Sequence, residues 1–541
     1  MQSAEIREKF LKFFEKKGHK RVLSSSLVPE NDSSVLFTTA GMQQFKPYYV
    51  GKLDALKDFG SLNTVSVQKC LRTSDIEEVG DERHLTFFEM LGNFSFGGYW
   101  KKEAIEYAHE FVTKEMNLKI DYVTVFEGET GVPKDTESET IWKSIDKNFE
   151  VRKYGRADNF WGPTGVEGPC GPTTEIYVDG IEIWNIVFNE FYQNKDKTLK
   201  PLEVKGIDTG MGLERLAKVV QKVPTVFETD LFKHLFSTLP ERLDEKKKRI
   251  LADHARAISF LITDGVSPDN KGAGYILRRL LRRILAQFEP DEIKLALDHT
   301  TAKFLELDKS KIWEIVGTEQ SQFIVALNLG KKELNKLTAI TPELAFRLFN
   351  SYGLPLDVIR DKFPELNISN FEKEFEKHQE VSRAGVEQKF KGGLAGHSEM
   401  EVKYHTTTHL LHQALREVLG KDVFQKGSNI TVERLRFDFS FPRKMTDEEK
   451  KKVEDLVNEK IKESLPVSFE DIPMAEAKKR GAIGLFEEKY GDKVRVYKVG
   501  NFSLEFCGGP HVENTSTLGK FKIVKEEAVS VGVRRIKAIL E

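Results

Sequence analysis

Apolar residues recur along this chain with two spacings, and the switch between them marks its organisation. At the N-terminus, MQSAEIREKFLKFFEKKGHK puts Ile6, Phe10, Phe13 and Phe14 on one side of a helical repeat, which predicts an amphipathic helix. Up to about residue 232 the pattern changes to short β-like runs, such as 35–39 and 181–191, separated by glycine-rich turns. Within it, VQKCLRTSDIEEVGDERHLTFFEMLGNFSFGGYW reads as a strand over 65–72, an acidic loop over 73–82 and a second strand over 84–96. Helical periodicity returns over 233–390, in RILADHARAISFLITDG and GYILRRLLRRIL, and ends in a charged helix predicted over 370–390 with Phe371 and Phe375 four apart. KGGLAGHSE, over 391–399, reads as a hinge. The last block, 398–541, mixes helix and strand: RLRFDFSF alternates, and AVSVGVRRIKAIL reads as a terminal strand.

A chain of 541 residues is too long for one hydrophobic core, so three domains are expected at 1–232, 233–390 and 398–541. No segment reaches the roughly 18 uninterrupted apolar residues of a membrane span, and the N-terminus has no apolar signal core. The three cysteines, Cys70, Cys170 and Cys507, are too few for a disulfide framework and suit a reducing compartment. A cytoplasmic protein without a membrane partner is the expectation. The net charge of −2 means that any basic surface for nucleic acid has to be local.

The sharpest chemical signal is near the C-terminus. HTTTHLLHQAL sets His405 and His409 four apart on a helix, so both imidazoles leave one face, and CGGPH adds Cys507 and His511. Three imidazoles and a thiolate suit tetrahedral Zn²⁺, where a lone pair of helical histidines more often only packs or caps. The motif is not that of a zincin protease, because Thr406 stands where the general-base glutamate belongs. Four protein ligands leave no open position, so the metal is expected to position a substrate. Thr408 and Gln425, in FQKGS, are candidates for the pocket lining, with ordinary surface positions as the alternative.

The first block carries a second constellation. Arg72 ends a predicted strand, where it can grip a phosphate or pair with Asp75 or Glu77. Glycines and prolines cluster between Gly162 and Pro172, where backbone can approach a ligand. IDTGMGLERLAKVVQ puts Asp208 before a glycine turn and Arg215 in the helix after it, a carboxylate for an ammonium group and a cation for phosphate.

Together these motifs resemble the alanyl-tRNA synthetases over nearly the whole chain. The strand–loop–strand with Arg72 is similar to the second signature motif of class II synthetases, GMGLER to the third and LFTTAGMQQF to the first. Residues 252–283 resemble the family's helical tRNA-binding domain, and HTTTH with Cys507 and His511 its editing domain. The resemblance implies an α+β multidomain chain: an antiparallel-sheet catalytic domain, a helical tRNA-recognition domain and an α+β editing domain. It implies that Mg²⁺ with ATP and L-alanine give the adenylate, that tRNA(Ala) takes the alanyl group, and that mischarged seryl- and glycyl-tRNA(Ala) are hydrolysed elsewhere. Arg72 then meets the α-phosphate and Arg215 the distal phosphates. His84, Trp161, Ile183, Trp184, Asn185 and Gly212 surround the nucleotide, and Asn185, Asp208 and Trp161 hold the amino acid, with Asp208 on its ammonium. His405, His409, Cys507 and His511 match the editing-domain zinc ligands.

Arg278, Arg279, Arg282 and Arg283 form two i, i+4 columns with no interleaved acid. A phosphate-binding face competes there with a merely solvated one. Asn350 and Asp357, in LFNSYGLPLD, lie where the resemblance puts readers of the acceptor-stem wobble pair, although the family commonly has aspartate at Asn350. Other departures are a short loop after Arg72 that lacks a lysine-bearing stretch, Leu85 in place of a histidine, and Thr173 in place of a cysteine. The β-rich subdomain usual before the editing helix is not evident ahead of His405, and the sequence ends at Glu541 where the family carries a C-terminal domain, as either a truncated or a compact natural form, with a monomer as the expectation. Two rivals remain: a pure deacylase with an inactive first site, and a non-enzymatic RNA binder.

Overall fold

A computed structural model describes residues 1–29, 32, 35–74, 76–367, 371, 398–483, 493–530 and 532–541. The charged helix expected over 370–390 and the glycine hinge therefore fall almost wholly outside the described residues. The chain divides into two compact units, Met1–Leu366 and Asn367–Glu541.

The first unit is built on a nine-stranded sheet. Its strands are β1 (Lys20–Arg21), β2 (Asn63–Leu71), β3 (Phe87–Ser95), β4 (Tyr122–Phe126), β5 (Val151–Tyr154), β6 (Phe160–Trp161), β7 (Gly168–Val178), β8 (Ile181–Gln193) and β9 (Leu199–Gly212). The order is β1-β2-β3-β9-β8-β7-β4-β5, with β6 beside β7. Pairing is antiparallel except at the margins, β1 with β2 and β4 with β5. One face is covered by helices. The Ser3–Lys16 helix, opened by a capping box between Gln2 and Glu5, buries the expected Ile6, Phe10, Phe13 and Phe14. These pack with Trp184, Ile186, Phe188, Ile207 and Met211 of the sheet. Phe10 is fully buried, so Phe10→Ala is expected to cost roughly 3–5 kcal/mol.

The helices Glu245–Thr263, Gly272–Gln287, Pro290–Lys303 and Lys309–Lys336 follow in the same unit. One hydrophobic cluster joins them to the sheet region, running from Leu27, Leu71 and Phe87 through Phe227 to Leu277, Leu281 and Ile312. Packing therefore continues across residue 232. Gly353 ends the Pro342–Tyr352 helix at φ +67°, and a Cβ there would come within 2.6 Å of the Arg282 guanidinium.

The second unit has a four-stranded antiparallel sheet, order β10-β11-β16-β15, made of β10 (Gln425–Ile430), β11 (Leu435–Ser440), β15 (Phe521–Ser530) and β16 (Val533–Leu540). A three-stranded sheet joins β12 (Val467–Pro473), β13 (Lys493–Val499) and β14 (Ser503–Phe506). The Glu399–Leu419 helix packs Leu410, Leu411, Ala414 and Leu415 against Ile430, Phe437, Phe439 and Ile536. Its capping box pairs Ser398 with Glu401.

Two elements depart from the sequence expectation. Residues 35–39 form no strand; a tight 3₁₀ turn, Gly41–Phe45, follows them. AVSVGVRRIKAIL is not one strand but the end of β15 and all of β16, with Gly532 at φ +72° between them. Its alternating apolar residues conceal a turn that only the positive-φ glycine marks.

Candidate active site and metal centre

Strand register assembles the first site. Side chains alternate across a sheet, so β9 sends Ile207 and Met211 into the helix-packed core and turns Asp208, Gly210 and Gly212 to the other face. Phe94 and Met90 of β3 pair with Asp208 and Gly212. Val187 and Asn185 of β8 pair with Asp208 and Gly210. A Cβ at Gly210 would lie 2.9 Å from Met90 Sδ, which accounts for glycine there. Trp161 packs on the aromatic cluster of Phe45, Phe94 and Phe96, beside the Asp208 row.

Asp208 is 4% exposed, and among the described residues its carboxyl has no hydrogen-bonding or ionic partner. Burial raises its pKa to about 8. Asn185 donates from Nδ2 to Glu175 Oε1 at 2.9 Å, and among the described residues its own buried Oδ1 is unpartnered. Glu175, which the sequence reading missed, also accepts from the Tyr177 hydroxyl at 3.0 Å, and burial with the nearby Glu182 raises it to about 7. Its signal was only an acid at the inward period of β7, opposite Asn185.

Arg72 follows β2 with its guanidinium carbon 5.0 Å from the Phe88 ring centroid. Glu77, its suggested surface partner, pairs instead with Arg279, and Asp75 lies outside the described residues. Arg215, in the Leu213–Gln221 helix that Gly212 caps, pairs with Glu182 Oε2 at 2.8 Å. His84 sits in the loop with Nδ1 2.6 Å from Asp81 Oδ2.

Several assignments need correcting. Trp184 is fully buried against Phe10, Phe14 and Phe111 on the opposite face, and Ile183 is 1% exposed in the same core. Neither side chain can line a nucleotide site; only their backbone could. The arginines of the Gly272–Gln287 helix are not a free basic face, because acids arrive from other elements. Arg278 Nε is 3.5 Å and Arg282 Nε 2.9 Å from Glu319 Oε1, and Arg279 holds Glu77. Arg283 is 2% exposed and donates to Asp357 Oδ2 at 2.6 Å, so this pair presents nothing to a base or phosphate. Asn350 is exposed.

In the second unit the donor atoms of His405, His409, Cys507 and His511 lie within 4.8 Å of one another. The histidine pair comes from the Glu399–Leu419 helix, and Cys507 and His511 from the turn after β14. Cys507 Sγ is 3.3 Å from both His405 Nε2 and His511 Nε2, against the about 3.3–3.8 Å between ligands of tetrahedral zinc. His405 Nδ1–H donates to the Pro510 carbonyl at 3.0 Å, and His511 Nδ1 is 3.2 Å from Thr406 Oγ1. Each outer partner aims Nε2 at the centre. Thr406 also accepts from Val512 N, so the residue that disqualified a protease orients a ligand. Among the described residues, buried His409 Nδ1 has no hydrogen-bond partner.

Burial lowers all three imidazoles, His405 to about 3, and raises the Cys507 thiol to about 12. The histidines are thus neutral and ready to ligate, and a bound cation would reverse the direction at the thiol. Donor set, orientation and spacing fit a metal ion. Just outside, His412 Nδ1 is 3.2 Å from Glu505 Oε1, and both are buried. His412 stands three residues after His409 on the same helix, whereas Glu505 carried no spacing signal. Thr408 Oγ1 donates to the His405 carbonyl at 2.6 Å, inside its own helix. Gln425 pairs across the sheet with Phe439, so it faces the side that the Glu399–Leu419 helix covers.

This combination of antiparallel sheet, helices and histidine-bearing α+β unit defines a class II aminoacyl-tRNA synthetase with an appended editing fold. The family described as tRNA synthetases class II (A) matches residues 5–453, and the threonyl and alanyl tRNA synthetase second additional domain matches 494–537. An alanine–tRNA ligase of Treponema denticola is 44% identical over 99% of this chain and 98% of its own length. One from Borrelia hermsii is 42% identical with both chains covered in full. One from Pseudothermotoga lettingae is 38% identical over all of this chain and 80% of its own. The chain belongs to the alanyl-tRNA synthetases. No helix among its described residues is long and apolar enough to cross a membrane.

Proposed function

We propose that the sheet face around Asp208 activates L-alanine with Mg·ATP and passes the alanyl group to tRNA(Ala), and that the second unit hydrolyses seryl- and glycyl-tRNA(Ala). The observation that carries the reading is Asp208, a carboxyl buried without a cation. An unpaired buried carboxylate is unfavourable, and the ammonium of an amino acid is the partner it lacks. Asn185, held by Glu175, supports the same ligand through its unpartnered Oδ1.

The rest of the chemistry is charge neutralisation. The alanine carboxylate attacks the α-phosphorus and pyrophosphate leaves; the 3′-terminal ribose hydroxyl then takes the acyl group. Arg72 meets the α-phosphate, and Arg215, released from Glu182, meets the distal phosphates. His84 and Trp161 flank the nucleotide, and Gly212 lets it approach the sheet. Asn350 contacts the acceptor stem.

A pocket that excludes large side chains discriminates poorly against glycine and serine, since such small differences amount to only ~1–3 kcal/mol. Hydrolysis elsewhere answers that. His405, His409, Cys507 and His511 would hold Zn²⁺, which supplies a fixed positive charge that orients the mischarged ester. Thr408 and Gln425 line the pocket. The enzyme works in the cytoplasm as a monomer; its free cysteines fit the first, and its mass in solution checks the second.

Amino-acid-dependent ATP–pyrophosphate exchange without tRNA tests the activation step. Exchange strong with alanine and weaker with serine and glycine is expected. Folded protein that exchanges with none of them would leave only the deacylase.

A further inference from the structure

Two buried polar contacts flank the loop that follows Arg72. Arg72 N donates to the Thr86 carbonyl at 2.9 Å, and Thr86 N donates to Asp253 Oδ1 at 2.9 Å. The second oxygen of Asp253 is 2.9 Å from His254 Nδ1. His254 Nε2 is 3.1 Å from Arg283 Nη1. A guanidinium can only donate, so Nε2 accepts, His254 is neutral, and its Nδ1–H donates to Asp253. Burial and the Arg283 charge both hold the His254 pKa down, in keeping with that tautomer.

Arg283 also closes on the loop itself. It donates to the Ile76 carbonyl through Nη1, to the Val79 carbonyl through Nη2 at 3.2 Å, and to Asp357 through Nε. Its donors are taken up inside the protein, and Asp253, His254 and Arg283 are all at most 2% exposed. Nearby, Arg279 holds Glu77.

We propose that Arg283 is a positioning residue for the ATP step: it clamps the loop at Ile76 and Val79 and, through His254, Asp253 and Thr86, sets the backbone that carries Arg72. The helix that the sequence offers as a tRNA surface thereby determines how the activation site is shaped. The inference rests on Arg72 meeting ATP phosphate.

Arg283→Lys keeps the charge but loses the planar fork. In pyrophosphate exchange it is expected to lower kcat/KM for ATP about 10- to 100-fold, the range a displaced contact produces, while the KM for alanine stays unchanged. Because both residues act through one contact, Arg283→Lys should add little in an Arg72→Ala background. Equal effects in both backgrounds, a matching rise in the alanine KM, or a loss seen only in tRNA charging would overturn the proposal. Should Arg283→Lys fail to fold, Asp357→Asn loosens the same guanidinium and is read identically. Arg72→Ala with normal exchange would remove the phosphate reading and this inference with it; an impaired Arg72→Ala beside a normal Arg283→Lys would remove the inference alone.

Discussion

The metal-ligand cluster and the sheet face around Asp208 are written into the chain in different ways. The cluster comes from two short motifs, one on a helix and one in a turn, and each local spacing nearly determines where its donors point. The sheet face is gathered from β2, β3, β7, β8 and β9, and its members face one another only because the register is what it is. The cluster gathers three imidazoles and a thiol whose spacing fits a metal ion. The sheet site is an acid without a base. Each is poised for what it binds, and losing one should leave the other intact.

The largest effect that would break this comparison is at the cluster. Cys507→Ala is expected to abolish bound zinc and seryl-tRNA hydrolysis while alanine-dependent exchange continues, as metal analysis and both assays on one preparation would record. Undiminished clearance would dismiss the editing role. Next is Asp208→Ala, which should reduce kcat/KM for alanine about 10²–10³-fold, in line with losing one electrostatic contact in a buried site. An unchanged KM for alanine would take Asp208 out of the pocket.

A smaller effect follows from protonation. The Asp208 pKa is raised to about 8, so the free protein gains stability from the protonated form at low pH and loses it as pH rises through about 8. An ammonium ligand needs the ionised form. Alanine binding at pH 7 should therefore release close to one proton and tighten as pH rises toward 8. Calorimetry in buffers of different ionisation enthalpy reads this directly, and Asp208→Asn should abolish the release. The smallest effect is at Arg282→Ala. Glu319 would lose a partner, at a cost of about 1–3 kcal/mol in stability, with little change in tRNA affinity. A marked fall in affinity at constant Tm would restore the arginine face as an RNA contact.

How much was legible follows from the same contrast. The Ser3–Lys16 and Gly272–Gln287 helices show in the apolar periodicity because each buries one face, whereas the Glu245–Thr263 helix, buried continuously from Ile250 to Ile262, and β2, β3 and β8, buried on both faces, show as largely apolar runs. The four ligands of the cluster were legible from spacing. Thr406 was not, since a residue that only orients a ligand carries no ligand signature of its own, and the His412–Glu505 pair was not, since its acid is distant in sequence. Trp184 misled because its place beside Asn185 says nothing about the face it takes. The arginine columns misled because Glu77, Glu319 and Asp357 are distant in sequence and close in space.

The independence of the two sites is tested most directly by following alanine-dependent ATP–pyrophosphate exchange in Cys507→Ala beside the unaltered protein. The account predicts equal exchange from the two, with zinc and seryl-tRNA hydrolysis missing only in the variant. Exchange that falls in step with zinc content would contradict it.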